Sequence, residues 1–265
     1  MGRDKGLDSS DADLAYAGGK LRLFVEARLH AGARVAPSAG QAHYLLHVMR
    51  AREGDRIALF NGIDGEWRAR IVEVTRRTYA LVCEIETAAQ AEVPDLWLAF
   101  APIKKTPADY VAQKATELGV RVLQPVITRR TVARRVNLER LRANAIEAAE
   151  QSGRLSVPEV REPLDLDALL QSWPASRRLI FCDEGGDSAP IAAALEHAKR
   201  DAVWGVLTGP EGGFDPQERA AIRECPFVLP ITLGPRILRA DTAALAALAV
   251  WQAILGDWRS AGPGL

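Results

Sequence analysis

The spacing of hydrophobic and polar residues changes near residue 90, which predicts two domains of different architecture. Before that point, short runs rich in β-branched and aromatic residues often alternate with polar ones, as half-buried strands do. Beyond it, apolar runs of strand length alternate with segments of helical period, which is typical of a parallel α/β sheet. We therefore expect a mobile polar tail over residues 1–19, a β-rich domain over 20–90 and an α/β domain over 91–260.

The first domain reads as a small β-barrel with one helix. Ser38 followed by Gln41 is a capping box, which predicts that a helix begins there. Asn61 to Gly65 supplies hairpin-loop chemistry between two strands. His43 and His47 are four residues apart on the helix, but no third ligand is nearby, so we expect surface histidines. The predicted strands cover residues 21–27, 56–60, 67–75 and 79–87.

A linker over residues 88–94 leads into the second domain. Thr106 and Asp215 are expected to cap helices, since each is followed by Pro and then by an acidic residue at N3. The final helix, from Thr242 to about Leu255, is apolar on all sides, which predicts burial within the domain or against a second subunit. The predicted strands cover residues 96–103, 122–128, 178–183, 204–208 and 227–233.

The composition of the whole chain does not indicate a function, but one segment has a distinctive charge. Lys and Arg number 34 and so do Asp and Glu, so the net charge does not indicate nucleic acid. Residues 121–161, however, hold nine arginines and four glutamates, which predicts either a patch that meets phosphates or a solvated helix face. Cys83, Cys182 and Cys225 lie far apart in apolar runs, so we expect buried thiols in a reducing compartment. With no run of transmembrane length and no signal-peptide core, the expected location is the cytoplasm, away from membranes.

Two segments carry the chemistry. Residues 207–214 (LTGPEGGF) and 233–243 (LGPRILRADTA) each follow a predicted strand and precede a predicted helix. Loops at the carboxyl ends of strands bind ligands in open α/β sheets, and glycine allows close approach of the backbone. We expect the two loops to leave neighbouring strands and to form a cofactor pocket beside an anionic substrate. Neither segment is a Walker A loop or a dinucleotide fingerprint.

In this setting the sequence resembles the ribosomal small-subunit methyltransferase E family (RsmE) of the SPOUT class. Besides the two loops, the resemblance rests on residues 43–50 (HYLLHVMR), 113–120 (QKATELGV), 147–154 (EAAEQSGR) and 256–258 (GDW). It spans roughly residues 21 to 258. Asp241 departs from the family pattern, in which Glu is more usual.

The resemblance implies a PUA-like RNA-binding barrel joined to a trefoil-knotted parallel α/β domain. It also implies a homodimer that uses S-adenosylmethionine (SAM) and no metal to methylate N3 of one uridine in 16S ribosomal RNA. The residues implied to hold the cofactor are Leu207, Thr208, Gly209, Glu211, Gly212, Gly213, Leu229, Leu233, Gly234, Ile237, Leu238 and Thr242.

The chemistry of the acceptor predicts the catalytic residues. Loss of the N3 proton leaves negative charge on the uracil carbonyls, which a guanidinium can stabilise. Arg236 and Arg239 are the candidates, and Glu211 or Asp241 could orient them or accept the proton. Arg239 could instead form a structural ion pair with Asp241. We expect Gly212→Val to abolish cofactor binding and Arg236→Ala to abolish turnover alone.

Eight residues are implied to contact RNA, although bland surface solvation is the alternative for those in the second half of the chain. They are Lys20, Arg22, Arg50, Lys114, Arg129, Arg130, Gln151 and Arg154. Two other functions remain open: an RNA-binding assembly factor without activity, and a SPOUT enzyme that modifies a ribose hydroxyl or a tRNA base.

Overall fold

The structure is a computed structural model that describes residues 15–16, 19–74, 79–103, 105–185, 187–199 and 202–259, with the backbone alone at residues 15–16, 19–20, 74, 79 and 105–107. It divides into two compact units: the residues up to Glu92 together with Ala149–Ser156, and the remainder. The expected mobile tail lies outside the described residues, apart from the backbone of Ala15–Tyr16 and Gly19.

The first unit is built on a curled five-stranded sheet whose order is β3-β5-β6-β7-β4. Strands β5, β6 and β7 form an antiparallel meander, and β3 joins β5 in parallel. Register shifts between β6 and β7 bend the sheet around an apolar core that includes Leu23, Leu59 and Ile71. The strands of this unit are β1 (Ala15–Tyr16), β2 (Gly19–Lys20), β3 (Arg22–Phe24), β4 (Arg34–Val35), β5 (Arg56–Phe60), β6 (Glu66–Val74) and β7 (Tyr79–Ala88).

The predicted helix of the first unit is α1 (Ala39–His43), and both hydrogen bonds of the Ser38–Gln41 capping box are present. The chain then widens into a π-helical turn, Tyr44–Val48. His43 and His47 expose their side chains, with ring centroids 4.4 Å apart. Arg50 follows in the left-handed region at φ 53°.

The second unit is a parallel sheet in the order β10-β9-β8-β14-β12-β15-β13, with β11 also pairing with β9. Its strands are β8 (Leu96–Phe100), β9 (Val122–Ile127), β10 (Glu159–Val160), β11 (Leu164–Asp165), β12 (Arg177–Cys182), β13 (Ala189–Pro190), β14 (Val203–Thr208) and β15 (Val228–Thr232). The helices are α2 (Lys105–Glu117), α3 (Leu138–Ser152, whose last turn is counted with the first unit), α4 (Leu166–Ser172), α5 (Ile191–Glu196), α6 (Pro216–Glu224) and α7 (Ala240–Ile254), with a 3-10 turn at Asp257–Arg259.

Successive side chains of the central strands enter two different apolar cores. On β14, Val206 belongs to the cluster that contains residues of α2, α5 and α7, whereas Leu207 belongs to the cluster that contains residues of α4 and α6. On β12, Ile180 and Phe181 divide in the same way. Because side chains alternate across a strand, helices cover both faces of the sheet, and the central strands are mostly apolar on both faces.

The expected parallel α/β architecture is present, but one expectation about it was wrong. The two loops predicted to leave neighbouring strands follow β14 and β15, and β12 lies between those strands with parallel pairing to both. A crossover connection can place a strand at any distance in the sheet, so chain order alone does not determine which strands are adjacent. The loop after β12 is thereby brought between the other two.

Smaller differences concern single elements. Helix α2 begins at Lys105, so Thr106 is within it rather than at its N-cap. Of the three cysteines, Cys83 is buried, whereas Cys182 and Cys225 are partly exposed as whole residues, although the thiol group of Cys182 is itself buried. Helices α4 and α5, and the two-residue strands β4, β10, β11 and β13, were not among the predicted elements.

Candidate functional site

A cavity of about 900 Å³ lies at the carboxyl ends of β12, β14 and β15. This is the edge at which open parallel sheets bind ligands, and the volume is within the range of small-molecule sites. Of the residues predicted to bind a cofactor or to act in catalysis, it is lined by Thr208, Gly209, Glu211, Gly213, Leu233, Gly234, Arg236, Ile237, Leu238 and Arg239.

Four predicted cofactor residues do not line the cavity. Leu207 points its buried side chain into the core on the α4 and α6 side, and Leu229 packs against the opposite core. Gly212 and Thr242 are exposed to solvent outside the lining. Both predicted segments therefore line the cavity, but not every residue in them does. Successive side chains of a strand point to opposite faces, so some of them face the core or the solvent instead.

Two positions in the loop after β14 require glycine. A Cβ at Gly209 would stand 2.7 Å from the Phe214 ring, which is closer than real Cβ atoms come. Gly213 has φ +66°, a conformation that favours glycine whatever the surrounding space. A Cβ there would also displace the exposed Glu184 carboxylate, whose Oε1 lies 1.7 Å from the Cβ position. Gly212, by contrast, has no positive φ, and its Cβ would come no nearer than 3.7 Å to the Arg130 side chain.

The loop after β15 carries exposed arginines. Gly234 turns the chain at φ +106°, and the side chains of Arg236 and Arg239 follow on the cavity wall. Within the described residues neither arginine forms an ion pair, so the alternative of a structural Arg239–Asp241 pair is not what this structure contains. Asp241 instead accepts a hydrogen bond of 2.8 Å from the backbone N–H of Thr242 at the start of α7.

The loop after β12 was missed by sequence reasoning. Cys182, Asp183 and Glu184 line the cavity between the two predicted loops. A signal existed: two acids and a glycine stand directly after an apolar strand, which is the position where an open α/β sheet binds ligands. Burial raises the pKa of the Cys182 thiol to about 12, so this cysteine is a neutral wall group.

Asp183 is the most firmly held charge at the site, with a side chain only 1% exposed. Arg219 donates to both of its oxygens, at 2.7 and 3.0 Å, and Arg223 donates to Oδ2. Burial opposes ionisation, but hydrogen bonds from Arg219, the Gly185 N–H and Arg223 outweigh it and hold the pKa of Asp183 below its usual range. The carboxylate is therefore charged and anchors the end of β12 to α6.

Arg129 and Arg130 brace the neighbouring loop. Arg129 donates to Asp215 at 2.9 Å and to Gln217 at the start of α6, and Arg130 donates to the Gly212 carbonyl at 2.8 Å. Both side chains stay exposed. They therefore hold the loop after β14, called here the glycine loop (residues 209–213), while presenting positive charge to solvent.

The other predicted RNA contacts differ in availability. Arg22 is not a free contact: it pairs with Glu66 at 2.6 Å and donates to the carbonyls of Ala149, Glu150 and Arg154. Arg154 is itself buried. Both therefore have a structural role in the first unit: Arg22 makes four hydrogen bonds with its five N–H donors, and Arg154 donates to the Ser156 hydroxyl. Gln151 and Arg50 are exposed, Lys114 pairs with Glu117 in a half-exposed bridge, and the Lys20 side chain lies outside the described part of the structure.

The described residues contain no group of three or more His, Cys, Asp or Glu side chains suited to a metal ion. Among the same residues, no helix is both long enough and apolar enough to cross a membrane.

Comparison with known proteins gives matches over both units. Residues 90–252 match the family model of an RNA methyltransferase domain, and residues 38–82 match that of an RNA methyltransferase PUA domain. Ribosomal RNA small subunit methyltransferase E from Rickettsia conorii is 30% identical over 86% of this chain and 93% of its own length. The protein of the same name from Synechocystis is 32% identical over 93% of this chain and 80% of its own.

Solved structures agree with this. Ribosomal RNA small subunit methyltransferase E from Neisseria gonorrhoeae, bound to S-adenosyl methionine, superimposes with a TM-score of 0.80 at 29% identity, covering 90% of this chain and 99% of that one. A Legionella pneumophila protein in complex with the cofactor SAM gives a TM-score of 0.81 at 29% identity, covering 89% and 98%.

Proposed function

Because the chain belongs to the ribosomal RNA small subunit methyltransferase E family, with a PUA domain followed in the sequence by a SPOUT-type α/β domain, we propose that it uses SAM to methylate N3 of a uridine in 16S ribosomal RNA. The observation that carries the proposal is the cavity at the strand ends, with Arg236 and Arg239 unpaired among the described residues on its wall. A base-modifying enzyme that acts on ribosomal RNA belongs in the cytoplasm.

The cavity suits the cofactor on its own geometry. Gly209 and Gly213 leave bare backbone where any side chain would fill space, and the volume is ample for a molecule of this size. We assign the cavity-lining members of the predicted set, from Thr208 to Leu238, to the cofactor. When bound, SAM supplies a methyl group on a positively charged sulfur, which needs orientation but no further activation.

The protein must therefore prepare the acceptor. Uridine N3 is on the Watson–Crick edge, so the base has to be unstacked before it can enter the cavity. Arg236 and Arg239 would hydrogen-bond the uracil carbonyl oxygens, and their charge would stabilise the negative charge that develops as N3 loses its proton. Glu211 or Asp241 would take that proton or orient the arginines. Both acids line the cavity.

Exposed positive and polar side chains would guide the RNA. Arg129 and Arg130 present charge beside the glycine loop, and Lys114 on α2, half-exposed and paired with Glu117, is a further candidate. In the first unit the exposed Arg50 and Gln151 are the corresponding candidates, and Lys20 is kept as a candidate from the sequence alone. Neutralising phosphate charge with such residues releases counterions, so binding should weaken as salt rises.

We also assign a homodimer, based on α7. One face of this helix, including Leu248 and Trp251, is buried in the core, while Leu245, Ala249 and Val250 on the remainder stay partly exposed in the single chain. A second copy would cover this apolar surface.

Nucleoside mass spectrometry of 16S ribosomal RNA tests the reaction. A strain that lacks the gene should lose 3-methyluridine from this RNA, and the wild-type gene should restore it while Arg236→Ala should not. Unchanged 3-methyluridine in the deletion strain would contradict the proposal. Loss of a different modified nucleoside would identify another target, and failure of the protein to bind SAM would favour an assembly factor without activity.

A further inference from the structure

Glu184 is an acid at the cavity that the proposed reaction does not use. It follows Asp183 at the carboxyl end of β12, the strand between β14 and β15, and it lines the cavity. Its side chain is exposed, and among the residues that the structure describes its carboxylate has no hydrogen-bond partner. A charged group placed in this way is available to a ligand.

The carboxylate of Glu184 lies against Gly213 of the glycine loop. An ideal Cβ on Gly213 would stand 1.7 Å from Oε1, so the carboxylate lies directly against the bare backbone of that loop. At this part of the cavity wall, the Glu184 carboxylate is next to Gly213, whose φ is positive. The carboxylate therefore forms part of the cavity wall beside that loop.

The backbone that carries Glu184 is held by ion pairs between the buried Asp183 and two partly exposed arginines. Asp183 accepts hydrogen bonds from Arg219, Arg223 and the Gly185 N–H, and the Ser188 hydroxyl donates to it at 3.3 Å. Both arginines lie on α6, one helical turn apart, and both also contact Asp187. Such a network fixes the direction in which the next residue leaves the strand.

A carboxylate with two free oxygens matches a pair of adjacent hydroxyl groups. In dinucleotide-binding folds an acidic side chain hydrogen-bonds a ribose hydroxyl. The same chemistry is open to any carboxylate that faces a ribose, because an ionised carboxylate accepts hydrogen bonds on both oxygens. We propose that Glu184 accepts hydrogen bonds from the ribose hydroxyls of the cofactor, with Asp183 as its positioning residue through Arg219 and Arg223. This assignment rests on the proposed function, because it takes the ligand to be SAM.

Calorimetric titration with two ligands tests the contact. S-adenosylhomocysteine carries both the ribose and the amino-acid end, whereas 5′-methylthioadenosine carries the ribose and adenine alone. Glu184→Gln should weaken binding of both ligands by about tenfold or more, as expected for loss of a charge-assisted hydrogen bond. Glu196→Gln, an exposed glutamate on α5 away from the cavity lining, is the matched control and should leave both affinities unchanged.

The outcomes separate this inference from the proposed function. If the wild type binds neither ligand, the proposed function fails and the ribose contact fails with it. If the wild type binds both and Glu184→Gln binds them equally well, the ribose contact alone is refuted. Weakened binding of S-adenosylhomocysteine alone would also refute it, because the contact would then be with the amino-acid end.

A double-mutant cycle tests the positioning role of Asp183. Asp183→Asn should weaken binding of S-adenosylhomocysteine in the wild-type background but add little in the Glu184→Gln background, because its effect passes through Glu184. Additive losses would refute that role. Arg223→Lys, which keeps the charge and perturbs the same cluster less, provides a second variant if thermal unfolding shows that Asp183→Asn is poorly folded.

Discussion

At the scale of single residues, the loop after β14 requires glycine at positions 209 and 213. The mutational prediction made from the sequence concerned a different glycine, Gly212. Gly212 was expected to be indispensable, yet the structure leaves room for a side chain there. Gly213 cannot accept one without strain, because its φ is positive. The signal that distinguishes them is a dihedral angle, which composition does not reveal.

This difference can be measured with a matched pair of variants. Gly213→Ala should weaken S-adenosylhomocysteine binding by about tenfold, since left-handed strain of about 1–2 kcal/mol would distort the loop. Gly212→Ala should bind within about twofold of the wild type, because ordinary contact distances surround it. Equal losses in the two variants, measured by calorimetry, would contradict this account of the loop.

Arg236 is the residue with the clearest catalytic prediction. Arg236→Ala should lower kcat by about 10²–10³-fold, the usual cost of removing one donor to a developing anion. Affinity for S-adenosylhomocysteine should stay nearly unchanged, because the guanidinium is assigned to the base rather than to the cofactor. Single-turnover methylation together with calorimetry checks both halves, and Arg236→Lys should recover part of the rate. Full turnover by the alanine variant would mean that the catalytic arginine is elsewhere.

At the scale of elements, capping chemistry was the most readable signal. Ser38 and Gln41 form the predicted box at α1, and Asp215 with Glu218 forms another at α6. Such caps depend on residues three apart in the chain, so local sequence suffices to recognise them. Helix α5, which has only six residues and no side-chain cap, offers no comparable signal.

The loop between β5 and β6 gives a pH-dependent prediction. Asp64 accepts hydrogen bonds from the Leu29 N–H, Asn61 and Arg28, which lower its pKa from an ordinary 3.8 to about 2. A folded-state pKa below the unfolded value contributes stability above about pH 3.8, and this is lost as the pH falls through about 2.

Asp64→Asn should therefore be less stable than the wild type at pH 7, and the difference should shrink as the pH falls from 4 towards 2. Denaturant unfolding at several pH values measures the difference, with the exposed Glu53→Gln as control. A constant difference across that range would show that ionisation of Asp64 does not stabilise the loop.

At the scale of the whole molecule, α7 is the element whose burial the single chain leaves incomplete. Its all-round apolar sequence predicted either an internal helix or a subunit contact, and one face is indeed packed in the core. Leu245→Glu should convert the proposed dimer to a monomer, because a charge would be desolvated in an apolar contact. Analytical ultracentrifugation measures this, with Ala220→Glu on the exposed face of α6 as control. A dimeric Leu245→Glu protein would place the interface elsewhere.

The sequence by itself was sufficient for the class of the fold and for the two segments that form most of the cavity. Hydrophobic period, capping residues and glycine-rich strand ends are local properties, and the family motifs lie in recognisable order along the chain. From these alone the α/β domain, the β-rich domain and the site arginines 236 and 239 could be predicted.

Only the tertiary structure decided the order of the strands, and with it the third wall of the cavity. Chain order does not determine sheet order when crossovers connect parallel strands, so nothing local placed β12 between β14 and β15. The same holds for Arg22, whose partners Ala149 and Glu150 are more than 120 residues away. Whether an arginine meets RNA or backbone carbonyls, and whether an acid such as Glu184 reaches the cavity, depends on contacts that form only when distant segments pack together.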